Sequence, residues 1–338
     1  MKTNSINIVG LALSALIALG AIAWYLHSPI VSGQFEYDPM HFLYMYGSGI
    51  GVGIVMVWVL YRNDSDVWFD RIGMSMLVLS ITMYALMIWV PINHHGFGEI
   101  IAPTIDGKRY LFRAGSVAIE PVFLYLIALG WLTTYALRGT IRWLSAERVL
   151  MTGMVLMTGM VLSAVIMILL NDMNHLLFIE TVLLSMMIRL NGFGKKTIIS
   201  IMGIAFMFAF LMAGSAHWIN RLTQWWDTLL GIREPIQYDF VLKMPLVLAL
   251  CVIAAYGTLL YGLVRSRISE AQNGIFLDSV IIMIAVDLFL NLSAHIGLYP
   301  TMPPSLFLID MNPSMNVVFF VMLWMAFSSI INDKKESA

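Results

Sequence analysis

The sequence predicts an all-α fold, a polytopic integral membrane bundle of about ten transmembrane helices with both termini in the cytoplasm. Two observations predict the class. Ten separate apolar stretches, each long enough to cross a bilayer, occupy most of the 338 residues. Hydrophobic residues make up 60% of the chain and charged residues only 12%, with a mean hydropathy of +0.84; soluble domains are about a quarter charged. A hydrocarbon core of ~30 Å needs about 20 apolar residues per helix. Inside it each backbone N–H and C=O must be paired within its own segment, so isolated apolar runs must be helical. A third observation, the distribution of lysine and arginine, sets the orientation.

In chain order the expected spans are 6–26, 42–61, 73–91, 115–137, 149–170, 174–190, 197–216, 241–264, 275–297 and 315–331. The first contains Ala21-Ile22-Ala23, which looks like a signal-peptide cleavage site. Its apolar run from Ile6 is too long for a signal h-region, and Trp24-Tyr25 suits an interfacial aromatic belt, so it is read as a retained helix. The fourth span starts near Glu120-Pro121, since proline is tolerated in a first helical turn. The fifth and sixth are separated only by Asn171–Asn174; merging them would invert everything downstream. The whole chain, 1–338, reads as a single membrane domain with outside loops at about 27–41, 92–114, 217–240 and 298–314.

With the N-terminus inside, the cytoplasmic segments carry 13 of the 19 lysines and arginines and the outside segments 6. Cysteines introduced at Ser65 and Thr228 test this orientation. Ser65→Cys should resist a membrane-impermeant thiol reagent in intact cells, and Thr228→Cys should react. The reverse pattern would overturn the topology.

The lone Cys251 falls inside a span, which excludes an intrachain disulfide and suggests a small packing residue. A net charge of −1 implies no nucleic-acid partner. No Walker loop, dinucleotide fingerprint or H-E-x-x-H motif is present. Met-Thr-Gly-Met-Val-Leu occurs at 151–156 and again at 157–162, and is read as a small-residue packing face using Gly153 and Gly159.

The inside connections are brief and basic, whereas the outside loops gather polar residues, so chemistry is expected on the outer face. His94-His95 invites a metal reading, but no Cys, Asp or Glu stands at ligand spacing beside the pair, and solvated loop histidines are the better account. Lys108-Arg109 places two adjacent cations on the side that otherwise carries few; they suit either a phosphate or anionic lipid. Glu120, Asp172, Glu180, Asp239 and Asp287 lie within or at the edges of spans, where ionisable groups are costly. Glu120 suits the positive end of a helix dipole as well as a cavity. Asp287, mid-helix, needs a hydrogen bond to a neighbouring helix or a wet cavity. Asp172 and Glu180 flank a tight turn, where interfacial solvation is favoured. Asp239 sits where the longest outside loop enters the eighth span, an apolar boundary that suits a general base.

An ordered series of short motifs from about residue 38 to 330 resembles the SEDS family (shape, elongation, division and sporulation) of bacterial envelope proteins. Asp38-Pro39-Met40-His41-Phe42 is similar to that family's D-P-x-x-F, and Asp106-Gly107-Lys108-Arg109-Tyr110-Leu111 to N-G-A-R-R-W-I. Arg221-Leu222 through Trp226-Asp227 looks like the amphipathic run leading to L-D-P-W. Glu234-Pro235-Ile236-Gln237-Tyr238-Asp239-Phe240-Val241 resembles P-E-A-H-T-D-F-I, the catalytic signature. Asn291-Leu292-Ser293, Gly297-Leu298-Tyr299-Pro300-Thr301 and the run to Ser314 follow N-I-G…G-L-L-P-V-T…S-Y-G-G-S in register. The departures are as definite. The segment before H-T-D-F is shortened, and Gln237-Tyr238 replaces His-Thr. Asn312-Pro313 replaces the paired glycines. Glu120-Pro121 stands at Q-P-S-E, whose final Glu falls on Phe123, and Asn171-Asp172-Met173-Asn174-His175-Leu176 stands at Q-P-D-x-G-T.

The resemblance implies a peptidoglycan glycosyltransferase of the bacterial cytoplasmic membrane that polymerises lipid II on the outer side, beside a class B penicillin-binding protein. Asp239 would be the general base, Lys108 and Arg109 would pair with the diphosphate, and Glu120 and Asp287 would be polar groups facing the cavity. No cofactor is predicted beyond a divalent cation that could accompany the substrate diphosphate. Membrane lipids are the other expected partner. Two alternatives stand beside this reading. One is a scaffold for a penicillin-binding protein or a lipid-linked precursor, which would not need a carboxylate at 239. The other is a precursor transporter or flippase using Glu120 and Asp287 as intramembrane sites, although no internal repeat between the halves supports it.

Overall fold

The computed structural model describes residues 3–31, 47–52, 54–55, 65–93, 100–103, 109, 111–114, 117–139, 145–170, 172–191, 246–266, 274–295 and 313–336, together with 203, 223, 226, 227, 306 and 309. Eight long helices are described: α1 (Thr3–Val31), α2 (Ser65–Asn93), α3 (Pro121–Gly139), α4 (Ser145–Leu170), α5 (Met173–Asn191), α6 (Leu246–Ser266), α7 (Gly274–His295) and α8 (Pro313–Glu336). Residues 47–52, in the second expected span, are also helical. Val67–Ile92, Gly153–Leu170, Val247–Ser266 and Gly274–Ser293 are each long and apolar enough to cross a membrane. The expected span 197–216 lies outside the described residues except at Gly203.

The division of 149–170 from 174–190 holds. α4 ends at Leu170 and α5 begins at Met173, and the Asp172 N–H still donates to Met167 O at 2.9 Å across the break. The fourth span starts at the expected Glu120-Pro121 rather than at the boundary of 115. Residues 112–119 form an antiparallel hairpin, β1 (Phe112–Ala114) with β2 (Val117–Ile119), in which Phe112 faces Ile119 and Ala114 faces Val117. The helix starts only at Pro121, whose missing N–H is no loss in a first turn.

α3 is the central helix. Its residues 121–131 are all buried, and α2, α4, α5, α7 and α8 all pack against it. A helix apolar on every face can be enclosed on every face, and the run Val122-Phe123-Leu124-Tyr125-Leu126-Ile127-Ala128-Leu129 is of that kind. Small residues let the neighbours approach. A Cβ at Gly130 would meet the Ser279 Cβ of α7 at 3.1 Å, and one at Gly159 would meet the Leu129 Cδ1 at 3.0 Å. The Tyr125 hydroxyl donates to Gly159 O at 2.7 Å, so Gly159 of the repeated motif packs against α3, and Gly153 is buried as well. α1 packs on α6, which joins the bundle through α7.

The perimeter is apolar as well. Met154, Val161, Val165 and Leu169 of α4 and Val247 and Leu250 of α6 are exposed, as a lipid-facing surface requires. Cys251 lies on this exposed side of α6 rather than in a packed seam. α5 and α7 are tied near one end of the bundle by the Arg189 Nε–Asp278 Oδ2 ion pair at 3.2 Å.

Candidate functional site

Three separate parts of the chain converge at the beginning of α3. The hairpin register returns the chain so that the residues before Phe112 and the residue after Ile119, Glu120, leave it at the same end. Arg109, just ahead of the hairpin, donates its backbone N–H to Leu170 O at the end of α4 (3.3 Å). Two residues beyond Leu170, Asp172 occupies the α4–α5 turn. Its Oδ1 accepts the backbone N–H of His175 at 3.3 Å, as an acidic residue before a helix commonly does.

His175 bridges two carboxylates. Its Nδ1 lies 2.5 Å from Asp172 Oδ2 and its Nε2 3.2 Å from Glu120 Oε2. All three residues are buried: Glu120 is 2% exposed, Asp172 1% and His175 5%. A neutral imidazole has one N–H, and an ionised carboxylate only accepts. With both ring nitrogens against carboxylate oxygens, the cluster therefore holds one proton more than a neutral ring and two ionised acids. It is carried as imidazolium or as a carboxylic acid. A buried carboxylate pair without that proton would be strongly unfavourable. The cluster thus fixes the α4–α5 turn to the start of α3.

A third buried acid lies one helical turn and more along α5. Glu180 Oε1 is 3.0 Å from the Ser163 hydroxyl of α4. The interfacial solvation expected for Asp172 and Glu180 is therefore incorrect. Both are enclosed by the α3–α4–α5 packing and hydrogen-bonded there.

Asp287 is also fully buried, and Asn291 Nδ2 reaches its Oδ1 at 3.1 Å and its backbone O at 2.9 Å. This partner lies one turn along the same helix. Nine residues separate Asp287 from the Asp278 ion pair, which puts it about 13 Å along α7, within the membrane.

Of the expected site residues, the structure brings Arg109 and Glu120 to one end of α3 and leaves Asp287 on α7. Lys108 and Asp239 lie outside the described residues, as do His94 and His95. His175 was not expected. The spacing Asp172–His175 at the start of a helix was the available signal, since i and i+3 share a face. Among the described residues no group of three or more His, Cys, Asp or Glu is arranged to hold a metal ion.

No family model matches the chain. Among curated proteins it is similar to the probable peptidoglycan glycosyltransferase FtsW of Helicobacter pylori strain ATCC 700392 / 26695, 24% identical over 221 residues. The counterpart in strain J99 is 23% identical over the same length. The matched region is 64% of this chain and 55% of the relative, so the chain spans about half the length of the curated relatives it matches. Among solved structures, a chain of a peptidoglycan synthase complex in which polymerization and crosslinking are coordinated superposes with a TM-score of 0.67, at 15% identity, covering 95% of this chain and 96% of that one. The rod shape determining protein RodA of Thermus thermophilus superposes with a TM-score of 0.63, at 16% identity and 95% coverage of both chains. This multi-pass membrane chain is thus similar in sequence to FtsW over 221 residues and shares the fold of RodA along nearly its whole length.

Proposed function

We propose that the chain is a peptidoglycan glycosyltransferase that polymerises lipid II on the outer side of the bacterial cytoplasmic membrane, in cell-shape, division or envelope synthesis. What carries the reading is the buried Glu120–His175–Asp172 cluster beside the backbone of Arg109. Ionisable groups enclosed in a membrane bundle are costly, and they mark function more often than they serve packing. This cluster stands at the end of the bundle where the backbone of Arg109 meets the end of α4. Similarity to FtsW supplies the reaction class.

In the proposed reaction an acceptor sugar hydroxyl attacks the anomeric carbon of a second lipid-linked disaccharide, and undecaprenyl diphosphate leaves. Asp239 takes the hydroxyl proton. Lys108 and Arg109 bind the diphosphate oxygens, which guanidinium can do bidentately. Glu120, held by His175, and Asp287 supply polarity within the bundle. A class B penicillin-binding protein is the proposed partner.

The direct test is polymerisation of lipid II by the purified chain together with its transpeptidase partner. Glycan strands should form, and the variant Lys108→Ala/Arg109→Ala should bind lipid II roughly tenfold or more weakly at unchanged expression. Unchanged binding would remove the cation pair from the site.

One observation favours the scaffold as a second reading. Phe123, at the position of the final Glu of Q-P-S-E, is fully buried and packs on Phe178 with ring centroids 5.5 Å apart. An acidic position of the family pattern is here apolar core. Absence of polymer with any transpeptidase partner, alongside retained binding to one, would establish the scaffold.

A further inference from the structure

A groove of about 880 Å³ lies between α2 and α3, lined among others by Trp68, Asp70, Arg71, Met74, Trp131 and Tyr135. It lies at the end of α3 opposite the acid–histidine cluster. Eleven residues separate Trp131 from Glu120, about 16 Å along the helix. The positive-inside bias assigns this end to the cytoplasmic leaflet.

The groove is built rather than incidental. Gly73 has no Cβ, and the Trp131 ring occupies that space. A Cβ there would stand 2.1 Å from the indole Cγ. The indole N–H donates to Asp70 Oδ1 at 3.0 Å, and the ring packs on Tyr135 with centroids 5.6 Å apart. Trp131 is thereby fixed as one wall, with Asp70 as the acceptor of its N–H.

Arg71 is the group that needs an explanation. It is exposed, and it lies within Val67–Ile92, the stretch of α2 apolar enough to be in hydrocarbon. It is four residues from the start of that stretch, about 6 Å, which is the depth from which an arginine reaches the headgroup layer. Its guanidinium lies over the Trp68 ring, 5.6 Å from the centroid. A planar cation held by an aromatic face presents its N–H fork outward and matches phosphate bidentately. Below it the groove is apolar, with Met74, Leu77 and Leu132 on its walls.

We propose that this groove binds one anionic phospholipid of the cytoplasmic leaflet, with the phosphodiester on Arg71 and an acyl chain along the exposed Met74 and Tyr135, over the buried Trp131. The exposed Arg71 guanidinium complements the phosphodiester, and the volume suits a chain rather than a free ion. The proposal does not depend on the glycosyltransferase reading, since the groove is at the other membrane face.

The test uses the full chain in a neutral detergent, titrated separately with phosphatidylglycerol, phosphatidylcholine and inorganic phosphate, with bound ligand counted by native mass spectrometry. Wild type should retain phosphatidylglycerol in preference to phosphatidylcholine. Arg71→Gln should weaken phosphatidylglycerol roughly tenfold, the scale of one charge-assisted contact, and phosphatidylcholine, whose choline cation already compensates the same phosphodiester, clearly less. Arg71→Lys, which keeps the charge, should lose less than Arg71→Gln. Brominated phosphatidylglycerol should quench tryptophan fluorescence less in Trp131→Phe than in wild type. Equal phosphatidylglycerol binding by wild type and Arg71→Gln would overturn the proposal. So would parallel loss of both lipids, or displacement of the lipid by inorganic phosphate.

Discussion

Replacing His175 by alanine is expected to destabilise the protein by about 3–5 kcal/mol. The substitution leaves Glu120 and Asp172 facing one another, 2% and 1% exposed, with no ring nitrogen between them. It also removes the side-chain link between the α4–α5 turn and the start of α3. The measurement is the thermal midpoint of the purified variant in detergent, with the recovered fraction of monodisperse protein as a second readout. Neutralising the acids should restore part of the loss. The triple variant His175→Ala/Glu120→Gln/Asp172→Asn is expected to be more stable than His175→Ala alone, because groups in one network couple. A single variant within about 0.5 kcal/mol of wild type would mean that the cluster does not hold the turn.

Asp239→Asn is expected to lower lipid II polymerisation by roughly 10²–10⁴-fold, the usual contribution of a general base. Asparagine keeps the shape and one acceptor but cannot take a proton. Asp239 lies outside the described residues, so the expectation rests on the segment Glu234-Pro235-Ile236-Gln237-Tyr238-Asp239-Phe240-Val241 and its resemblance to P-E-A-H-T-D-F-I. The loss should appear in kcat rather than in lipid II binding, since the base acts on the proton in flight. Lys108→Ala/Arg109→Ala should do the opposite and weaken binding first. Equal turnover by wild type and Asp239→Asn would remove Asp239 from the chemistry.

The helices were legible because a bilayer imposes a minimum length on apolar runs, and little else produces ten of them. Even the shortest interruption, Asn171–Asn174, marked a real break, since a hydrated turn needs only a few polar residues. The hairpin at 112–119 was not legible. Leu111-Phe112-Arg113-Ala114-Gly115-Ser116-Val117-Ala118-Ile119 is short and mostly apolar, and such a run cannot be told from the beginning of a helix by periodicity. Glu120 and Asp172 each drew attention as acids at span edges. Their meeting through His175 could not be read, because it joins positions 55 residues apart. Asp172 and Glu180 were expected in water for the same reason: nearness to a polar turn says nothing about which helices close over it. Asp287 was rightly marked as needing a partner, but the spacing Asp287–Asn291 offered one on its own helix, i to i+4.

The enclosure of α3 also constrains how the molecule is made. α3 enters the membrane after α2 and before α7 and α8 have been synthesised, so its Gly130 face must first meet lipid and exchange it later for Ser279 and Phe276. In lipid that exchange gains no hydrophobic energy and must be driven by close packing. The middle of the protein is therefore sealed late, by helices made after the one they enclose.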